Sequence, residues 1–126
     1  MDVLVQEGKC RWAEPGEEVQ FASPAFVVDQ AGKGCCGRPV VDYRHVNSQT
    51  LDAGWPSADA EACLRRAQEG SLHTSVDCVW GFNQLPIDEE TSKLLAIITK
   101  RGLLLPKVLM FGPKQGPGIF QSFVDA

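Results

Sequence analysis

Asp77 is the residue of this sequence best placed for metal chemistry. It lies near the end of residues 72–78, where apolar and polar side chains alternate as in a half-buried strand. A turn containing Gly81 and Phe82 follows, and backbone there can approach a ligand closely. A carboxylate at a strand end is a typical Mg²⁺ ligand, so the pattern predicts a magnesium-binding position. The alternative is a solvent-facing aspartate that only caps the turn.

The composition is that of one folded domain. Of the 126 residues, 44% are hydrophobic and 22% are charged, which excludes a chain disordered by composition. Twelve basic and sixteen acidic residues give a net charge of −4. Five acids and two bases fall in residues 1–20, so residues 21–126 are near neutral. Bulk charge therefore does not indicate a strong nucleic-acid binder.

The sequence carries no membrane or export signal. No apolar run approaches the roughly 18 residues that a membrane-spanning helix requires. The first seven residues contain acids and only a short apolar run, unlike a secretion signal. We therefore expect an intracellular protein, cytoplasmic or nuclear, that is not secreted and has no membrane partner. The oligomeric state is not indicated.

The five cysteines fit a reducing compartment. Their number is odd, and Cys35 and Cys36 are adjacent, which argues against a disulfide framework. No Cys-x-x-Cys or His-x3-His spacing supports a zinc site. We expect free thiols, with Cys63 and Cys78 as small core residues.

Local patterns predict an α+β fold with antiparallel hairpins and two to three helices. Strands over 25–29 and 38–43 flank a glycine-rich turn and should pair, with Pro39 at a strand start or edge. Ser57 is a good N-cap for a helix over 57–69. Residues 1–20 show no period and read as an acidic, irregular lead. The remaining predicted elements are a strand over 72–78, a helical turn over 88–93, strands over 94–99 and 103–110, and a helix that opens at 119.

Three ordered blocks resemble the reverse transcriptases of gypsy-type LTR retrotransposons. Residues 23–28 and 38–47 resemble the family pattern S-P-x-x-x-V followed by R-x-x-V-D-Y-R-x-L-N. Residues 75–87 resemble F-S-x-L-D-L-x-S-G-Y-H-Q-I-x-I, and residues 108–121 resemble V-M-P-F-G-L-x-N-A-P-A-T-F-Q. The resemblance covers residues 21–126.

The resemblance implies a fold and an activity. Residues 21–56 and 86–111 would be fingers, and residues 72–85 and 112–126 would be half of a ferredoxin-like palm. The activity it implies is RNA-directed DNA synthesis from deoxynucleoside triphosphates with Mg²⁺, on an RNA or DNA template-primer.

The resemblance also implies roles for single residues. Asp77 would be the first catalytic, metal-binding aspartate. Arg38 would bind the triphosphate through charge-assisted hydrogen bonds, and Phe111 would form part of the pocket floor. Phe82 would stack under the sugar and exclude a ribose 2′-hydroxyl; its alternative is a core aromatic. The triphosphate would lie beside the backbone amides of Cys78, Val79, Trp80, Gly81 and Phe82.

Other matching residues have structural interpretations. Phe120 and Gln121 should position their helix. Asp42 and Arg44 should tie fingers to palm by an ion pair or hydrogen bonds.

Several departures from the family pattern bear on activity. Asp29, Gln30 and Ala31 stand where the family has lysines, although Lys33 could substitute, and Met110 replaces a proline. The Y-x-D-D block, which carries the other metal-binding carboxylates, is absent. We therefore expect a truncated, incomplete enzyme that is inactive alone. The alternatives are a degenerate, non-catalytic relic or binding module, and an unrelated α+β domain.

Overall fold

The computed structural model describes residues 1–29, 32, 37–52, 54–56 and 58–126. Its helices are α1 (Asp2–Gln6), α2 (Arg44–Gln49), α3 (Ala60–Gln68), α4 (Glu89–Leu94) and α5 (Gly116–Asp125), with a 3₁₀ turn over Gly81–Gln84. Its strands are β1 (Cys10–Trp12), β2 (Ala22–Val28), β3 (Arg38–Val41), β4 (Ala96–Thr99) and β5 (Gly102–Pro106). The mixed α+β class is confirmed, with more helices in the described ranges than the sequence patterns predicted.

The strands form one mixed, five-stranded sheet in the order β1-β5-β4-β2-β3. Neighbouring strands run antiparallel except β2 and β4, which pair in parallel with Ala22 opposite Ala96. The central β4 and β5 carry the most buried side chains, including Ile97, Leu104 and Leu105. Tyr43 joins this core from the end of β3, and its hydroxyl donates a hydrogen bond of 3.0 Å to the carbonyl of Leu95.

The first twelve residues of the lead segment are largely regular, contrary to the expectation from its sequence, whereas residues 13–20 contain no helix or strand. Residues 2–6 form α1, and β1 pairs antiparallel with β5, with Cys10 opposite Pro106. Cys10 is 2% exposed and belongs to the core, against which Met1, Leu4 and Val5 of the lead also pack. The sequence patterns did not predict this pairing, because the partner strand lies about ninety residues away along the chain.

The predicted hairpin over 25–29 and 38–43 is confirmed. β2 and β3 pair antiparallel from Ala25 opposite Val41 to Val28 opposite Arg38. β3 is an edge strand, so Pro39 lies where a missing amide donor is tolerated. Within the intervening turn, Gln30, Ala31, Lys33 and the adjacent Cys35 and Cys36 lie outside the described residues.

The helix predicted over 57–69 is present but begins later. α3 starts at Ala60, and Asp59 caps it by accepting a hydrogen bond of 3.0 Å from the Glu61 amide. Ser57, the predicted cap, lies outside the described residues. All nine α3 residues are exposed, including Leu64 at 65% and Cys63.

Residues 72–78 do not form the predicted strand. Leu72 and Val76 are 88% and 84% exposed, and Cys78 is exposed as well. A strand needs a hydrogen-bonding neighbour, and across the described ranges none runs beside this segment. The expectation that Cys63 and Cys78 are core residues is therefore wrong, and Cys10 takes that place.

The C-terminal elements follow their local signals closely. Asp88 caps α4, and its carboxylate accepts a hydrogen bond of 2.7 Å from the Thr91 amide. β4 and β5 form the predicted hairpin around a turn at residues 100–102, and β5 ends at Pro106. The helix predicted to open at 119 begins at Gly116. In the described portion, no helix is both long and apolar enough to span a bilayer.

Candidate functional site

A groove of about 530 Å³ gathers most of the residues singled out in the sequence. Seven of the eight predicted site residues line it, namely Arg38, Asp77, Cys78, Trp80, Gly81, Phe82 and Phe111. Val79 does not line the groove, and its side chain is 70% exposed. Three further residues complete the lining: Val76, Phe120 and Val124. The groove thus joins the start of β3, the turn after residue 77, the 110–112 loop and α5.

An aromatic trio forms one wall of the groove. The Phe82 ring packs edge-to-face against Phe111, with centroids 4.9 Å apart, and against Phe120, with centroids 5.2 Å apart. Such edge-to-face pairs contribute about 0.5–1.5 kcal/mol beyond burial. Phe82 is half-buried, so it both packs against the trio and faces the groove. The sequence patterns did not place Phe120 at this surface, and only the path of α5 brings it there.

The turn that follows Asp77 is held by side-chain amides. Asn83 donates a hydrogen bond of 2.9 Å to the Leu109 carbonyl, and Gln84 donates one of 2.7 Å to the Val79 carbonyl. Trp80 adopts the left-handed backbone conformation, with φ +53° and ψ +41°. That conformation costs roughly 1–2 kcal/mol for a residue other than glycine. The turn is therefore an ordered structure that its surroundings must stabilise.

Gly81 lies where the Phe120 ring of α5 packs against the turn. A Cβ atom at this position would lie 2.9 and 3.0 Å from two ring carbons of Phe120. Glycine is therefore needed here for space, which explains its place between Trp80 and Phe82.

The loop carrying Phe111 is fixed by α2 and the core. Asn47 donates a hydrogen bond of 2.9 Å to the Gly112 carbonyl and accepts one of 2.8 Å from the Lys114 amide. Gly112 has φ +114°, and a Cβ there would lie 3.1 Å from the Tyr43 ring. These contacts place the Phe111 ring beside Phe82.

Arg38 and Asp77 are the charged side chains that line the groove within the described residues. The exposed Arg38 guanidinium carbon lies 5.8 Å from the centroid of the Phe111 ring, a cation–π geometry. A guanidinium held over an aromatic face presents planar donors that suit phosphate oxygens. The groove can thus offer one cation, aromatic faces and turn backbone to an anionic ligand.

Asp42 and Arg44, by contrast, form a local pair. Arg44 Nη2 lies 2.6 Å from Asp42 Oδ2, and the Arg44 side chain is 90% exposed. Hydrogen bonds from Arg44 lower the pKa of Asp42 to about 2. The contact shapes the start of α2 and does not line the groove.

The described residues do not fit a two-metal site. Over those ranges, no three His, Cys, Asp or Glu side chains group in a way that could hold a metal ion. Within the described residues, the groove lining contains one carboxylate, that of Asp77. Two Mg²⁺ ions need several oxygen ligands, so one carboxylate is not enough. The magnesium that the sequence resemblance implies therefore has one candidate ligand in this part of the chain.

No model of a known protein family matches the chain, but curated proteins do. It is 36% identical over 108 residues to the enzymatic polyprotein of Figwort mosaic virus (strain DxS), covering 84% of this chain and 16% of that protein. It is 28% identical over 127 residues to a polyprotein of Cassava vein mosaic virus, covering 99% and 20%. It is 30% identical over 128 residues to the retrovirus-related Pol polyprotein from transposon opus of Drosophila melanogaster, covering 99% and 12%.

The chain is related to one region of these polyproteins. It spans a fifth or less of the length of each of these relatives. The sequence analysis predicted part of a retroelement enzyme. Polyproteins from two viruses and a transposon support this prediction at the level of a retroelement-type enzymatic polyprotein region.

Proposed function

We propose that this polyprotein region is the nucleotide-binding part of a reverse transcriptase, built from its fingers and the first half of its palm. The observation that carries the proposal is the convergence of seven predicted site residues on one groove. They come from β3, the turn after residue 77 and the 110–112 loop, which are separated by up to 73 residues in sequence (Arg38 to Phe111). The relatives add support, since they are enzymatic and Pol polyproteins of viruses and a transposon.

In this proposal the groove binds the triphosphate and sugar of a deoxynucleoside triphosphate. Arg38 pairs with phosphate oxygens, and the backbone amides of residues 78–82 donate to them. Phe82 lies under the sugar, and Phe111 forms the floor. Among the described residues Arg38 forms no salt bridge, so a phosphate would supply a counter-charge for its guanidinium.

We further propose that Asp77 serves as one Mg²⁺ ligand in the whole polyprotein, on a primed RNA or DNA template. The other metal-binding carboxylates have to come from outside the groove described here, because Asp77 is the carboxylate in its lining. The 126-residue chain should therefore bind nucleotide without extending a primer.

The test is to titrate the purified chain with dTTP and to measure the affinity by calorimetry, with and without Mg²⁺. Arg38→Ala should weaken binding by about tenfold, since one charge-assisted hydrogen-bond donor of an exposed site is lost. Arg66→Ala is the matched control, because this arginine lies on the exposed α3, which does not line the groove. The Arg66→Ala variant should bind dTTP with the same affinity as the unmodified chain.

Two outcomes would contradict the proposal. If the unmodified chain binds dTTP no better than Arg38→Ala does, the groove is not a triphosphate site and a non-binding relic is the better description. If the 126-residue chain extends a primed RNA template unaided, the proposed dependence on further carboxylates is wrong.

A further inference from the structure

We infer that Lys9, in the lead segment, is a positioning residue for the turn of residues 78–82, acting through Trp80. The Lys9 Nζ atom lies 3.7 Å from the centroid of the Trp80 ring. Its side chain is 13% exposed and also pairs with Glu7 at 2.7 Å. A cation this well shielded from water interacts strongly with an indole face.

Lys9 is itself held rigidly. Its amide donates a hydrogen bond of 2.9 Å to the Leu4 carbonyl, and its carbonyl accepts one of 2.8 Å from the Lys107 amide. It directly precedes β1, which is fixed to β5 in the sheet. The backbone of Lys9 is therefore anchored next to the sheet, and its ammonium group contacts the Trp80 ring and the Glu7 carboxylate.

Trp80 needs such a partner. It holds a left-handed backbone conformation without being glycine, and its side chain is 56% exposed, so burial alone does not hold the ring. Gln84 fixes the backbone of the turn at Val79. Lys9 fixes the ring, and the two contacts together restrain the turn whose residues Cys78, Trp80, Gly81 and Phe82 line the groove.

The first experiment needs no ligand and uses Trp80 as its own reporter. In a Trp12→Phe, Trp55→Phe background, Lys9→Met should raise acrylamide quenching of Trp80 about twofold and weaken its near-ultraviolet circular dichroism, because the shielding cation is gone. Lys9→Arg keeps a cation and should restore both signals. Lys107→Met is the control, since it keeps the backbone amide that bonds to Lys9, and in the described ranges the Lys107 side chain has neither an ion-pair partner nor a ring contact.

The second experiment rests on the proposed function and measures dTTP affinity of the same variants. Lys9→Met should weaken binding by about three- to thirtyfold, the range expected when one cation–π contact is lost. Lys9→Arg should recover most of that affinity, and Lys107→Met should bind as the unmodified chain does. If the unmodified chain binds no dTTP, the proposed function fails, and the Trp80 signals alone decide the role of Lys9.

A double-mutant cycle guards against a variant that simply folds poorly. Trp80→Leu removes the ring, so Lys9→Met should add little further loss of stability in urea unfolding when combined with it. Full additivity of the two substitutions would overturn the inference. Unchanged Trp80 quenching and circular dichroism in a folded Lys9→Met protein would overturn it as well.

Discussion

At the scale of single residues, the groove depends on the absence of a side chain at Gly81. Gly81 leaves room for the Phe120 ring, whose carbons would lie 2.9 and 3.0 Å from an added Cβ. Since real Cβ atoms do not approach other atoms so closely, either the ring or the turn would have to move. The ring belongs to the aromatic trio, so the displacement would reach Phe82 and Phe111.

Gly81→Ala should therefore destabilise the protein by about 1–3 kcal/mol, the usual cost of overpacking. Urea unfolding followed by far-ultraviolet circular dichroism measures the free energy of unfolding. Gly54→Ala is the matched control, because a Cβ there meets nothing within 4 Å, and its effect should stay within about 0.5 kcal/mol. Equal effects of the two substitutions would refute the close-approach explanation.

At the scale of elements, α2 determines where the 110–112 loop lies. The Asn47 side chain spans the gap, donating to the Gly112 carbonyl and accepting from the Lys114 amide. α2 in turn follows Tyr43, whose hydroxyl is bonded to the Leu95 carbonyl in the core. The loop that carries Phe111 is thus tied to the sheet through one short helix.

Asn47→Ala should release this loop. The Lys114 amide loses its acceptor, so its hydrogen exchange, followed by nuclear magnetic resonance, should accelerate at least about tenfold as local opening becomes easier. Ser48→Ala on the same helix is the control, because among the described residues the Ser48 hydroxyl bonds within α2, to the His45 carbonyl. Unchanged protection of Lys114 in Asn47→Ala would show that the loop is held by other contacts.

At the scale of the whole molecule, two ionisable groups lie in the core in their neutral forms. Burial raises the pKa of the Cys10 thiol to about 11 and raises the pKa of the Tyr43 hydroxyl as well. In the unfolded chain the thiol ionises near pH 9, its ordinary value. The unfolded state therefore loses its proton first as the pH rises, and ionisation favours unfolding.

The contribution of Cys10 to the free energy of unfolding should consequently be constant below about pH 9 and should fall by about 2–3 kcal/mol between pH 9 and 11. Urea unfolding at a series of alkaline pH values measures this slope. Cys10→Ala lowers stability at every pH but should show a shallower alkaline slope, since only Tyr43 still contributes. The same slope in both proteins would mean that Cys10 is not held neutral by the core.

Local chemistry accounts for the elements that were predicted correctly. The β4–β5 hairpin and α4 depend on residues within a few positions, such as the turn at 100–102 and the Asp88 cap, and the paired residues of β2 and β3 lie at most 16 positions apart. The motif resemblance likewise singled out Arg38, Asp77 and Phe82 from short blocks of sequence, and the fold brings these three residues to one groove. Such signals are readable because the interacting groups are neighbours along the chain.

Long-range pairing accounts for what the sequence patterns could not show. β1 joins β5 across about ninety residues, β2 pairs in parallel with β4, and residues 72–78 remain without a strand partner in the described ranges despite their alternating pattern. The same packing sets Phe120 and Lys9 against the groove turn. A strand forms only where a second segment supplies hydrogen bonds, and a groove wall forms only where a second segment supplies packing contacts. Which segment becomes that partner depends on how the core packs in the folded chain.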